Sequence, residues 1–182
     1  MKTNNTFLKI LYDWGIPIVV AVIVYIIITK LLFFNIKVPT SSMYPTIKPG
    51  DRIVTTVVHN VSKLKRGDII VFYSREKKER MAKRLIGLPG DVVDIKRDGS
   101  VYINGKKLNE PYVKNQIKEN EIYFGIHLGE YKVPEGHYFF LGDNRANSWD
   151  SRYWKNPYID GKDIIGKARF VFFPFSRFGK LK

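Results

Sequence analysis

A mainly β domain behind one membrane-spanning helix is the fold class this sequence predicts, and three observations carry the prediction. Residues 16 to 34 hold no charge except Lys30 and, with Trp14 and Gly15 in front, form an apolar stretch of about 20 residues, the length that crosses a hydrocarbon core. From Arg52 onward the apolar residues come instead in short runs rich in Val, Ile, Tyr and Phe. Turn signals such as Asp98-Gly99 and Asn104-Gly105 separate these runs, which favours antiparallel pairing. The expected organisation is a short N-terminal tail over 1–13, a transmembrane helix over 14–34 and a β-rich domain over 35–182.

A chain of 182 residues has room for one domain of ordinary size plus an anchor. Its 31 Lys and Arg against 17 Asp and Glu give a net charge of +14, which favours anionic partners such as lipid headgroups, phosphates or nucleic acid. Cysteine is absent, so disulfides, thiolate catalysis and Cys-based zinc sites are excluded. A cysteine-free domain must be held by its apolar core, for which 14% aromatic residues are ample.

In the helix, Pro17 is expected in the first turn, where a missing N–H costs little, with Trp14 at the headgroup boundary. Lys30 near the far end can extend its amine to the interface. A cleaved signal peptide would have a shorter apolar core and a small-x-small pattern after it, and none follows Phe34. Charge does not orient the span, because Lys2 and Lys9 precede it while Lys37, Lys48 and Arg52 follow. Strands are expected over 53–58, 68–73, 81–86, 92–96, 101–104, 138–141 and 168–173. Residues 111–136 read as an extended loop or ribbon, and the charge cluster 75–84 reads as a solvated strand edge.

One segment beyond the helix has the marks of a nucleophile's turn. Val38-Pro39-Thr40-Ser41-Ser42-Met43-Tyr44-Pro45-Thr46 places Ser42 between two prolines that stiffen a non-helical backbone, although a polar linker after an anchor has the same composition. A nucleophilic serine needs a base and preorganised donors for the oxyanion it creates. The three histidines, His59, His127 and His137, sit in no Ser-His-Asp or H-E-x-x-H pattern, which leaves lysine. Lys83 is a candidate: alternation sets it on one strand face with Met81 and Leu85, and Arg84 adds positive charge beside it that would lower its pKa. A solvated surface lysine is the competing reading. Farther on, Asp143, Arg145, Asp150 and Arg152 stand so close together that they are expected to pair as a scaffold.

Together with Arg66-Gly67-Asp68, the stretches around Ser42, Lys83-Arg84-Leu85-Ile86-Gly87-Leu88-Pro89-Gly90-Asp91 and Gly142-Asp143-Asn144-Arg145-Ala146-Asn147-Ser148-Trp149-Asp150-Ser151-Arg152 resemble, in this order behind an anchor, type I signal peptidases. The resemblance runs from the anchor nearly to the C-terminus and is closest to the short Gram-positive form with one span. It implies an antiparallel β-sheet or barrel-like catalytic domain outside the cell membrane, with the N-terminus in the cytoplasm. Implied too is a serine endopeptidase with a Ser-Lys dyad that removes signal peptides from exported preproteins, cutting after small residues in an Ala-x-Ala-like pattern. Under it, Ser42 is the nucleophile and Lys83 the general base. The Ser42 N–H and the Thr40 hydroxyl bind the oxyanion. Ser148 hydrogen-bonds the lysine, Asp150 and Arg152 support the site, and Asp143, Asn144 and Arg145 are structural. Thr40 departs from the serine of some members but keeps the hydroxyl; Ile47 and Leu85 are mild apolar exchanges. The family implies no metal and no organic cofactor, membrane lipid as a neighbour, no nucleic acid, and a monomer. Two other readings compete: a non-catalytic membrane-anchored basic β domain that binds anionic partners, and a self-cleaving Ser-Lys protease of the SOS-repressor type. The latter would carry a DNA-binding helical domain where this chain has its apolar stretch.

Overall fold

The computed structural model describes residues 8–114 and 126–181, which fall into two compact units, 1–34 and 35–182. In the first, residues 8–10 are helical, a π-helical turn follows over Leu11–Gly15, and the α-helix α1 runs over Ile16–Leu31. The wide turn has a cause in Pro17. An unbroken α-helix would drive the proline ring into the Asp13 carbonyl, and the wider turn, in which the Ile16 N–H reaches back to the Leu11 carbonyl, relieves that crowding. Pro17 is in the first turn of α1, as expected, although a helical stretch that begins at Leu8 precedes it. The apolar helical segment Leu8–Thr29 has a mean hydropathy of 2.2 and is long enough to cross a membrane. Within it the Thr29 hydroxyl is satisfied by the Tyr25 carbonyl at 2.8 Å. The helix stands earlier than the expected 14–34, because Phe33 and Phe34 already open a strand; residues 1–7 of the expected tail lie outside the described residues.

The second unit is built of antiparallel strands in two sheets, as the alternation and turn signals predict. Strand β1 is Phe33–Lys37, β2 Arg52–Val57, β3 Ile69–Ser74, β4 Glu79–Gly87, β5 Val92–Ile95, β6 Val101–Ile103, β7 Lys106–Lys107, β8 Gly129–Lys132, β9 His137–Leu141, β10 Tyr158–Asp160, β11 Ile164–Phe173 and β12 Gly179–Lys180. The larger sheet has the order β1-β2-β11-β3-β4-β9-β10, with β12 on β11; the smaller has β7-β6-β5-β8. The expected hairpins are present. Gly99 takes a φ of 79° between β5 and β6, and Asn104 and Gly105, at 51° and 80°, make the tight turn that pairs β6 with β7.

The Leu85–Ile86 end of β4 and strand β9 sit between two cores and are apolar on both faces for that reason. Leu85 and Phe140 face a cluster with Ile70, Phe72, Tyr138 and Trp154, in which Phe72 stacks on Phe140 at 4.6 Å and meets Trp154 edge-on at 5.9 Å. Ile86, Phe139 and Leu141 face the other way, into a cluster with Val93, Ile95, Val101 and Tyr131 of the smaller sheet. The two layers approach so closely at Gly87 that an added Cβ would lie 2.7 Å from Val93 and 2.8 Å from Val133. A third cluster of Val38, Met43, Ile47, Ile53, Ile69, Ala168 and Val171 lies under the Ser42 turn.

Of the expected loop over 111–136, residues 115–125 lie outside the described residues. The described remainder takes the ribbon alternative in part, since β8 pairs with β5 in the smaller sheet.

Candidate active site

Ser42 stands on a turn between β1 and β2, anchored from below by Met43 and Ile47 in the third core cluster. The Tyr44 N–H donates to the Ser41 carbonyl at 3.0 Å and the Ile47 N–H to the Met43 carbonyl at 2.9 Å, closing the turn around the serine. From β4, Lys83 Nζ donates to Ser42 Oγ at 2.5 Å. Thr40 Oγ1 lies 3.3 Å from the same oxygen, and among the described residues the Ser42 N–H pairs with no acceptor. The structure thus brings Ser42, Lys83 and Thr40 to one point. No histidine is among the partners of the Ser42 hydroxyl.

Burial pushes the Lys83 ammonium from 10.5 down to about 8; the charge of Asp150 opposes this and that of Arg152 reinforces it. Arg84, expected from the sequence to supply the lowering charge, does not. Its Nε and Nη2 donate to Asp143 at 2.7 and 2.6 Å, so its charge is compensated on the opposite face of the strand. Around Lys83 the other buried charges are likewise paired, Arg152 with Asp150 at 2.8 Å and Arg145 with Glu110. Among the described residues Lys83 alone of these cations makes no ion pair.

Of the four charges expected to pair within the loop 142–152, only Asp150 and Arg152 pair with each other, because Asp143 is taken by Arg84 and Arg145 by Glu110. Asp150 accepts from the Gly142 N–H at 2.9 Å, and Arg152 holds the Arg145 carbonyl at 3.0 Å. Burial alone would raise the Asp150 carboxyl, but the charge and hydrogen bonds of Arg152 outweigh it and hold the carboxyl below the usual range. The loop then grips the Ser42 turn: the Asn144 N–H donates to the Ser42 carbonyl at 3.1 Å, its amide to the Ser41 carbonyl at 3.1 Å, and the Thr46 hydroxyl donates to Asp143 at 2.5 Å. At Gly142 there is no room for a side chain, because a Cβ would lie 2.1 Å from Ser148 Oγ and 2.5 Å from the Ser42 carbonyl oxygen.

Ser148 differs from expectation. Its hydroxyl is buried and has no hydrogen-bond partner among the described residues, so the Ser148–Lys83 bond that the resemblance implies is not formed; Lys83 Nζ bonds Ser42 instead. Thr46, Glu110, Tyr112 and the hydrogen-bonding part of Asn144 are contributions that the sequence does not reveal. One further tie comes from Arg177, whose guanidinium bonds both oxygens of Asp51 at 2.9 Å and the Thr46 carbonyl at 3.1 Å.

Beside Ser42 and Lys83 runs a groove of about 280 Å³, lined by Ile36, Val38, Val71, Met81 and the 79–83 half of β4. That half pairs with β3 on one side only, since β9 joins β4 from Arg84 onward. Among the described residues its other edge therefore carries backbone donors and acceptors without a strand partner.

Comparison with known proteins follows the same outline. The family described as signal peptidase, peptidase S26, matches residues 11–173. The chain is 43% identical over 186 residues to signal peptidase I T of Bacillus subtilis (strain 168), covering 100% of this chain and 93% of that protein. It is 45% identical over 175 residues to a signal peptidase I of Bacillus licheniformis, covering 93% and 92%. Among solved structures, a signal peptidase I from Enterococcus faecalis V583 is 35% identical with a TM-score of 0.47, covering 59% of this chain and 98% of that one.

Proposed function

The chain belongs to the signal peptidase family, peptidase S26, and from that premise we propose that it is a membrane-anchored serine endopeptidase that removes signal peptides from exported preproteins through a Ser42–Lys83 dyad. The observation that carries the dyad is the 2.5 Å contact between Lys83 Nζ and Ser42 Oγ, made by a lysine that burial brings to a pKa of about 8. A free amine at that position takes the Ser42 proton as the oxygen attacks the scissile carbonyl. The Ser42 N–H and the Thr40 hydroxyl stand ready for the oxyanion. The Lys83 ammonium then protonates the leaving amine, and the regenerated amine activates the water that hydrolyses the acyl-enzyme.

Substrate binding follows from the groove. An extended peptide added to the free edge of β4 at 79–83 would present alternate side chains to the same wall, so the first and third residues before the cut would face Ile36, Val38, Val71 and Met81. Those two positions take small side chains, as in Ala-x-Ala. The apolar helix anchors the enzyme with its N-terminus in the cytoplasm and residues 35–182 outside. Exposed Phe175 and Phe178, 81% and 67% accessible, and the basic residues Arg169 and Lys180 suit contact with an anionic lipid surface. The enzyme acts as a monomer and the dyad needs no cofactor.

The test is cleavage of a preprotein by purified protein in detergent. Ser42→Ala and Lys83→Ala should each lose turnover by at least about a thousandfold while keeping the circular dichroism of the parent. Turnover by either variant at the parental rate would sink the dyad.

A further inference from the structure

Tyr112 lies in a stretch to which neither the sequence nor the dyad gives a task, yet it is built against one of the most deeply buried charges in the domain. Its ring covers the Arg84 guanidinium, with Cζ 3.8 Å from the ring centroid. Its hydroxyl donates to Glu110 at 3.0 Å, Glu110 is ion-paired with buried Arg145, and the Val113 N–H closes the turn on the Glu110 carbonyl at 3.1 Å. The ring is thus fixed independently of Arg84. From the guanidinium, two bonds run to the Asp143 carboxylate and one to the Gly67 carbonyl at 2.7 Å. Asp143 Oδ2, already held by Arg84 Nη2, also accepts the Thr46 hydroxyl, and Thr46 belongs to the turn that carries Ser42.

We propose that Tyr112 is a positioning residue for the nucleophile, acting through Arg84, Asp143 and Thr46. A guanidinium donates only in its plane, so its three bonds to Asp143 and Gly67 leave both faces to packing, and a covering π face limits rocking out of that plane. With the plane fixed, Asp143 Oδ2 has one position, and the Thr46 hydroxyl and the Ser42 turn take theirs from it. Leucine at 112 would fill volume but would neither attract the cation nor stack on it. The inference rests on the reading of Ser42 and Lys83 as the dyad.

A double-mutant cycle decides it, run on the full chain in detergent with single-turnover cleavage of a preprotein, below the unfolding temperature of every variant. Tyr112→Leu should lower the cleavage rate constant about tenfold, the scale of a desolvated cation–π contact, with little change in KM. Thr46→Val should lower it as well, and the Tyr112→Leu/Thr46→Val double should be no slower than the worse single. Tyr112→Phe, which keeps the ring, should recover most of the loss. Losses that multiply in the double would show two separate structural roles and overturn the proposal, as would parental rates in Tyr112→Leu. If Tyr112→Leu does not fold, Tyr112→Met replaces it in the cycle and the same outcomes decide. Ser42→Ala and Lys83→Ala run alongside: cleavage by either overturns the dyad itself, whereas multiplied losses with both inactive overturn only the role of Tyr112.

Discussion

Lys83 is 2% exposed, and its ammonium titrates near 8 instead of 10.5, a difference worth about 3 kcal/mol. As the proposed base it works only as the free amine. The cleavage rate should therefore rise about tenfold per pH unit up to about 8 and level off above it, and replacing His59, His127 or His137 should leave that midpoint in place. A midpoint near 6.5 would point to imidazole. The same burial affects stability. Between pH 8 and 10.5 the unfolded lysine holds a proton that the folded one has released, so stability rises with pH through that window, and below 8 the full cost of burying the charge is present. Lys83→Met should be inactive yet melt higher than the parent at pH 6, with the gain shrinking towards pH 10; equal gains at both pH values in thermal unfolding would contradict the burial argument. That Ser42 and Lys83 would meet was legible because each sits in a long motif. Arg84 was misread as a source of positive charge acting on Lys83, since nothing local in the chain says that Asp143 compensates it. Tyr112 was not legible at all, because its meeting with Arg84 exists only in the folded arrangement.

Strand β4 joins these residues to the rest of the fold. It carries Lys83 to the groove, Arg84 to the opposite face, Leu85 to one core and Ile86 to another, and it ends at Gly87, where the two sheets close on each other. A Cβ there would meet two valine side chains and the Phe139 Cβ at under 3.0 Å, so Gly87→Ala should destabilise by about 1–3 kcal/mol, read as a lower urea midpoint with an unchanged slope. Parental stability would mean that the sheets can separate there without cost. The longer apolar strands were readable from alternation, and β4, β5, β6 and β9 lie within two residues of expectation. Strands β8, with the sequence Gly-Glu-Tyr-Lys, and β10, with Tyr-Ile-Asp, were not, because each buries one side chain and is otherwise polar; their pairing is decided by β5 and β9 and not by their own pattern.

At the scale of the whole chain, one apolar helix, a net charge of +14 and an aromatic, basic surface around Phe175 and Phe178 are all consistent with work at a membrane. The proposed orientation is tested by adding protease to intact cells stripped of their wall. Residues beyond Phe34 should be digested, and their protection would put the catalytic domain in the cytoplasm. Charge bias had left this open, since lysines flank the helix on both sides. The grip on the nucleophile's turn bears on how such an enzyme comes into being. Ser42 is among the first residues of its unit to be synthesised, but the groups that fix it, Asp143, Asn144 and Arg177, are made much later. During export the serine and lysine would cross the membrane before the scaffold that aligns them exists. Under the proposed orientation and dyad, the chain would therefore stay disarmed until most of it had crossed, because the residues that hold the Ser42 turn come last.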